Sequence, residues 1–258
     1  MRIDAEGLVI REKCVGESDR LVTILTKPKG VLRAFVRRAG GGKGGKLSAT
    51  RLFSYSRFTI FEGREKYIVD DAQPIEVFFE LRKDIAGLAL AQYFCELAGT
   101  LAPQDAEAGD FLRLVLNALY FLSRGTRPAP VLKAAVEMRM LSLAGYLPDL
   151  VCCAECGRYE DDTMYFLPRS GRIFCGECAR PAEEPALPLG RGTVTALRHT
   201  VYADFEKLFS FSLPGGALRE LCAASEAYVL ETLGRGFKTL DFYHQMEGTD
   251  PLTSGADA

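Results

Sequence analysis

With 258 residues, 48% of them hydrophobic and 26% charged, the chain carries ample core material, which excludes wholesale disorder and fibrous classes. One domain typically takes roughly 100–200 residues, so length alone predicts two or three structural units. The net charge of −2 conceals an uneven split: residues 1–70 hold 15 Lys/Arg against 8 Asp/Glu, net +7, and residues 71–258 hold 17 against 26, net −9.

That asymmetry points to a basic N-terminal unit that meets a polyanion, with an evenly solvated surface as the competing account. The first residues, MRIDAEGLVIREKC, interrupt every apolar run with a charge. They fit neither a signal peptide nor a membrane span, so the expectation is a soluble, cytoplasmic chain with no membrane partner. In a reducing compartment, eight cysteines read as metal ligands and buried thiols rather than a disulfide framework.

From Gly7 to about Asp71, short runs rich in Val, Ile, Phe, Tyr and Thr predict strands at Leu8–Glu12, Arg20–Thr26, Val31–Arg38, Leu52–Phe61 and Lys66–Asp71. Five such strands fit a small OB-fold barrel, whose closure removes exposed edges. Between the third and fourth strands, Ala39 to Lys46 is almost all glycine and lysine and is expected to be a mobile loop.

Beyond Pro74 the period turns helical. Asp84 to about Leu101 is apolar almost all round; Leu112, Val115, Leu116, Leu119 and Leu122 form a stripe ending at Gly125, placed as a C-terminal cap; a third helix starts near Pro130 and stops around Gly145. After the Pro-rich connector Pro181 to Pro188, Thr193 can cap a helix through Val194, Leu197, Val201 and Phe205. Leu218, Leu221, Cys222 and Val229 mark another helix. These helices are expected to pack back on the first three, and Gly248 to Ala258 to be a disordered tail.

Cys153-x2-Cys156 and Cys175-x2-Cys178 stand 18 residues apart, a spacing that reads as one closed four-cysteine zinc site. Two residues between thiolates allow a tight knuckle that aims both sulfurs at one ion. Met164 to Pro168 and Arg172 to Phe174 read as a hairpin across Ser170-Gly171 that brings the knuckles together, making a zinc ribbon. Four thiolates leave no open position, so the zinc is expected to be structural; His199 and His244 lie outside the cluster. Cys152 could replace Cys153, although the Cys-Ala-Glu-Cys-Gly knuckle favours Cys153. Cys14, Cys95 and Cys222 read as small buried residues.

Alternation along the third strand sends Leu32, Ala34 and Val36 to one face and Arg33, Phe35 and Arg37 to the other. Guanidinium groups interleaved with a ring suit single-stranded nucleic acid, and Arg38, Lys43, Lys46 and Arg51 extend the charge. The plainer reading makes Phe35 a core cap and the arginines a solvated face. No base-reading device is evident, so binding should depend little on sequence. The chain lacks a phosphate-binding loop, a nucleophile elbow and an HExxH helix, so neither catalysis nor a small-molecule substrate is expected.

In order, a basic barrel, helices, a four-cysteine insertion and further helices resemble the bacterial recombination mediator family RecO. Gly16-Glu17-Ser18-Asp19-Arg20, Arg37-Arg38 before a basic loop, Leu147-Pro148 before Cys153-Ala-Glu-Cys156-Gly, Phe174-Cys175-Gly-Glu-Cys178 and Leu233 to Leu240 are similar to that family's segments. The resemblance implies a nucleoid-associated protein that binds single- and double-stranded DNA and anneals complementary strands. It also implies action with RecR to load RecA onto DNA coated by single-strand-binding protein. A protein-interaction adaptor and an RNA-binding barrel with a zinc ribbon are the alternatives.

The expected fold class is α+β, with an OB-fold over residues 1–80, a helical domain over 81–150 and 183–247, a zinc ribbon over 151–182 and a disordered tail over 248–258.

Overall fold

The computed structural model describes residues 1–16, 19–37, 45–63, 66–179 and 185–247. Residues 38–44, which include Arg38, Lys43 and most of the glycine-rich loop, lie outside them, as does the segment expected to be a disordered tail.

Five strands, β1 (Arg2–Val15), β2 (Asp19–Thr26), β3 (Gly30–Val36), β4 (Ser54–Glu62) and β5 (Tyr67–Val77), close into a barrel in the order β1-β2-β3-β5-β4. The parallel β3–β5 pair and the antiparallel β1–β4 pair complete the ring, which is the expected OB-like barrel. β1 is longer than the predicted Leu8–Glu12. Its first half alternates Arg2, Asp4 and Glu6 outward with Ile3 and Ala5 inward, a half-buried strand pattern once β4 lies alongside. Leu8, Val9 and Ile10 are then all buried, because helices cover the outer face there; a Cβ added at Gly99 of the covering helix would lie 3.4 Å from the Ile10 side chain.

The barrel core takes Ile3, Val9, Val22, Ile24, Leu32, Ala34, Val36, Phe58, Ile60 and Val69, among others. A short helix that periodicity did not reveal, α1 (Gly45–Ala49), sends Leu47 and Ala49 against that core. Gly30, between β2 and β3, has φ +61°, and an added Cβ would sit 1.9 Å from the Pro103 carbonyl oxygen. The turn therefore needs glycine both for its dihedral and for close backbone approach.

A 3₁₀ turn at Phe79–Lys83 leads to α2 (Ile85–Leu101), α3 (Gly109–Arg124), α4 (Ala129–Leu143), α5 (Arg191–Tyr202), α6 (Gly215–Leu233) and α7 (Lys238–Glu247). Asp84 caps α2, its carboxylate accepting from the Ala86 and Gly87 N–H groups, and Gly125 ends α3 in the left-handed conformation foreseen for it. Thr193 does not cap α5. The helix starts at Arg191, and the buried Thr193 hydroxyl donates to the Glu220 carboxylate at 2.6 Å.

The chain forms two compact units, Met1–Thr126 with the chain from Phe237 on, and Arg127–Gly236. The helices thus divide differently from the single bundle expected. In the first unit α2 packs on the barrel and on α7, with the Tyr93 and Phe237 rings edge to face at 5.6 Å and the Thr239 hydroxyl 2.7 Å from Glu96. An α2 that is apolar nearly all round has faces for both neighbours. In the second unit α4 packs with α5 and α6 beside a sheet ordered β7-β6-β8, from β6 (Thr163–Leu167), β7 (Arg172–Cys175) and β8 (Leu187–Gly190). β8 draws the end of the Pro-rich connector into a ladder with β6.

Candidate metal centre and nucleic-acid interface

In the second unit, the Sγ atoms of Cys153, Cys156, Cys175 and Cys178 lie within 4.8 Å of one another. Local hydrogen bonds build each knuckle. Gly157 N–H donates to the Cys153 carbonyl at 2.9 Å, with Gly157 at φ +74°, a dihedral that favours glycine. At the end of β7, Cys178 and Ala179 N–H groups donate to the Cys175 carbonyl. The β6–β7 hairpin joins the knuckles, and Ala154 N–H donates to the Ile173 carbonyl at 2.9 Å. Cys153, at 1% exposure, stands in the cluster and Cys152 does not, which favours Cys153 as the candidate ligand.

The donor set fits a tetrahedral ion. Metal–sulfur bonds of about 2.3 Å require sulfur–sulfur edges of about 3.8 Å; Cys156 and Cys175 are separated by 3.7 Å. Burial raises the Cys153 thiol, but the N–H groups of Cys156, Cys175 and Glu155 outweigh it and hold the group at about 6. The Cys156 and Cys175 thiols push Cys178 up to about 12. Four sulfurs this close cannot all ionise unaided, and a bound cation removes that conflict.

Residues outside the cysteines hold the knuckles. Arg198 of α5 donates to the carbonyls of Leu150 at 2.7 Å, Val151 at 3.0 Å and Tyr159 at 2.6 Å, and the Tyr159 ring covers the guanidinium at 4.1 Å. The signal was present in the sequence, as a charge among the Val194, Leu197 and Val201 positions of an apolar stripe. Arg158 bridges Asp161 and Glu177, while the Asp161 carboxylate accepts from Gly176 N–H at 3.0 Å. Of the other cysteines, Cys95 is buried and Cys222 is half-buried. Cys14 is exposed, contrary to expectation, because it falls near the β1 end, where the strand leaves the covered part of the barrel.

In the first unit, β3 presents Leu32, Ala34 and Val36 to the core and Arg33 to solvent, with a half-buried Phe35 on that outer face and an exposed Arg37 just past the strand end. Lys66, which sequence reasoning missed as a contributor, sets its ammonium 5.7 Å from the Phe35 ring centroid. Three other barrel cations are neutralised: Arg2 pairs with Asp4, Arg20 with Glu12 and Arg57 with Glu6. Arg33 and Arg37 have no ion-pair partner among the described residues. Arg51 is half-buried in the turn before β4. Lys46 lies in α1, where its ammonium donates to the Val69 and Asp70 carbonyls at 3.0 and 2.8 Å, so it braces β5 rather than extending a loop.

The description "Recombination protein O N terminal" matches residues 1–78, and "Recombination protein O C terminal" matches residues 82–241. The chain belongs to the RecO family. Among curated relatives, the protein named DNA repair protein RecO from Acetivibrio thermocellus is 32% identical over 95% of this chain and 97% of its own length. Those of the same name from Desulforudis audaxviator and Symbiobacterium thermophilum are 33% and 30% identical, each over 93% of this chain and 96% and 95% of their own. The two family matches meet between β5 and α2, whereas the compact units part at 126/127 and 236/237. Among the described residues, no helix is long and apolar enough to cross a membrane.

Proposed function

We propose that this RecO-family chain is a cytoplasmic DNA repair protein that binds single- and double-stranded DNA through its barrel and anneals complementary strands. With RecR, it helps load RecA onto DNA coated by single-strand-binding protein. The observation that carries the DNA reading is Arg33 on the outer face of β3 and Arg37 just past its end, which flank Phe35 and have no ion-pair partner among the described residues. Guanidinium groups with no internal carboxylate partner release counterions when they meet phosphates, and the ring offers a sequence-tolerant stacking surface. Arg38, Lys43 and Arg51 are further candidate contacts, with Lys46 the weakest because its ammonium already serves two carbonyls.

Annealing needs no hydrolysed nucleotide. Lowered phosphate repulsion brings strands together, base pairing supplies the free energy, and no catalytic group is required. The four cysteines hold one structural Zn2+, the ion that suits closed tetrathiolate coordination. Its role is to fix the two knuckles.

Recruitment of RecR and single-strand-binding protein is assigned to the second unit, where Tyr146, Leu147, Val151 and Tyr159 stay exposed around the first knuckle. An annealing assay on complementary strands coated by single-strand-binding protein, without ATP, tests the whole reading. Annealing should exceed the spontaneous rate and collapse with Arg33→Ala/Arg37→Ala; equal rates with and without protein would refute it.

A further inference from the structure

Strand register carries the outer face of β3 into a continuous row around the barrel. Lys13 of β1 faces Leu21 of β2, Leu21 faces Phe35 of β3, Phe35 faces Ile68 of β5, and Ile68 faces Phe61 of β4. Directly opposed residues share a face, so these five side chains line one path across the strands. A second row beside it runs Arg11, Thr23, Arg33.

Phe61 is the anomaly in this row. The preceding outward residues of β4 are polar and engaged: Tyr55 and Arg57 with Glu6, and Thr59 with Asp4. Phe61 alone is a large apolar ring, 53% exposed, and it continues Phe35 and Ile68 rather than standing isolated. Adjacent strands lie about 4.8 Å apart, so Phe61 and Phe35 are separated by about 10 Å with Ile68 as the floor between them. Exposed Arg11, Arg33 and Arg37 lie beside the apolar row, and Lys66 lies over Phe35.

We infer that Phe61 is a second stacking platform, so that a single strand crosses the barrel perpendicular to β3 and lays one unpaired base on Phe35 and another on Phe61. The inference rests on the barrel's binding of DNA proposed above and adds its path and a residue that reads unpairedness. An apolar row edged by cations that have no ion-pair partner among the described residues matches an occupant with flat uncharged bases on a charged backbone. A duplex keeps its base faces inside the stack and cannot use Phe61.

The chain contains no tryptophan, so Phe61→Trp installs a single fluorescent reporter where bases are expected to stack. Titration with a single-stranded oligonucleotide should quench it, while Phe79→Trp, at an exposed ring on the 3₁₀ turn, should not respond. Phe61→Ala should lower single-strand affinity roughly tenfold, the scale of removing one base–aromatic stack. The log-salt slope should stay unchanged because no charge is removed, and duplex affinity should also stay unchanged. Phe61 is half in solvent, so neither variant threatens the fold.

Full single-strand affinity in Phe61→Ala with an unquenched Phe61→Trp overturns the inference, and the DNA reading survives if Arg33→Ala/Arg37→Ala still weakens binding. Equal losses on single strands and duplex also overturn it. Dissociation of an oligomer by Phe61→Ala with DNA affinity unmoved would assign the row to a second copy and overturn it too.

Discussion

The barrel and the cysteine-bearing sheet hold their strands by different means. Thirteen buried residues among those described converge inside the barrel, and strands of seven to fourteen residues pair into a closed ring. The sheet of the second unit has strands of five, four and four residues and one face packed on helix, with Phe166 edge to face on Tyr228 at 5.8 Å. Its knuckles bring four thiols together and are held from behind by the Arg198 clamp. The barrel can therefore spend its outer face on a ligand, while the sheet commits its most reactive side chains to holding itself together.

Metal removal should break that contrast most sharply, since binding in small zinc modules is worth on the order of 10–16 kcal/mol. A chelator, or Cys153→Ser, should abolish amide protection across residues 150–179 in hydrogen exchange and leave β1 to β5 protected. Equal loss in the barrel would show that the units do not differ in this way.

Within the helices of the second unit, Lys133, only 2% exposed, pairs with Glu137 at 3.0 Å and Glu226 at 2.7 Å, and Ser225 donates to Glu137 at 2.6 Å. The two carboxylates outweigh desolvation and keep the ammonium charged, its affinity for the proton raised. Lys133→Ala strands a buried carboxylate and should cost about 3–5 kcal/mol in denaturant unfolding, whereas Lys133→Met with Glu137→Leu should recover most of it.

Arg198→Ala removes three carbonyl hydrogen bonds and should cost about 2–3 kcal/mol, with faster metal loss to chelator than in the parent. Lys46→Met should cost about 1 kcal/mol in the barrel and change the salt dependence of DNA binding less than loss of Arg33 or Arg37 does, because that ammonium already serves β5. The smallest effect concerns acid. N–H groups of Gly176 and then Asp162 hold the Asp161 carboxyl below its ordinary 3.8. Its contribution is present above about pH 4 and fades as pH falls through the lowered value, and Asp161→Asn should remove that dependence from the unfolding profile.

Local patterns were legible where one periodicity decided them. Leu32, Ala34 and Val36 alternate against Arg33, Phe35 and Arg37, and the two CxxC pairs carry their geometry in their spacing. What escaped was set by partners distant in sequence. Arg2 to Glu6 becomes strand only because β4 lies beside it, and β8 emerges from a Pro-rich connector because β6 offers an edge. α7 went unseen because its ten residues bury only Leu240 and Tyr243. The Phe61 to Phe35 row crosses three strands, so no linear pattern records it. Lys46 was misread as a loop cation because nothing local announces that Val69 and Asp70 stand behind it.

The salt dependence of single-strand binding interrogates the outer face of β3 most directly. The parent protein's log affinity should fall with log salt, and Arg33→Ala/Arg37→Ala should flatten that slope by about 1.4, roughly 0.7 for each phosphate that is no longer neutralised. A slope identical in parent and double variant would mean that phosphates are held elsewhere, and the barrel would lose its role.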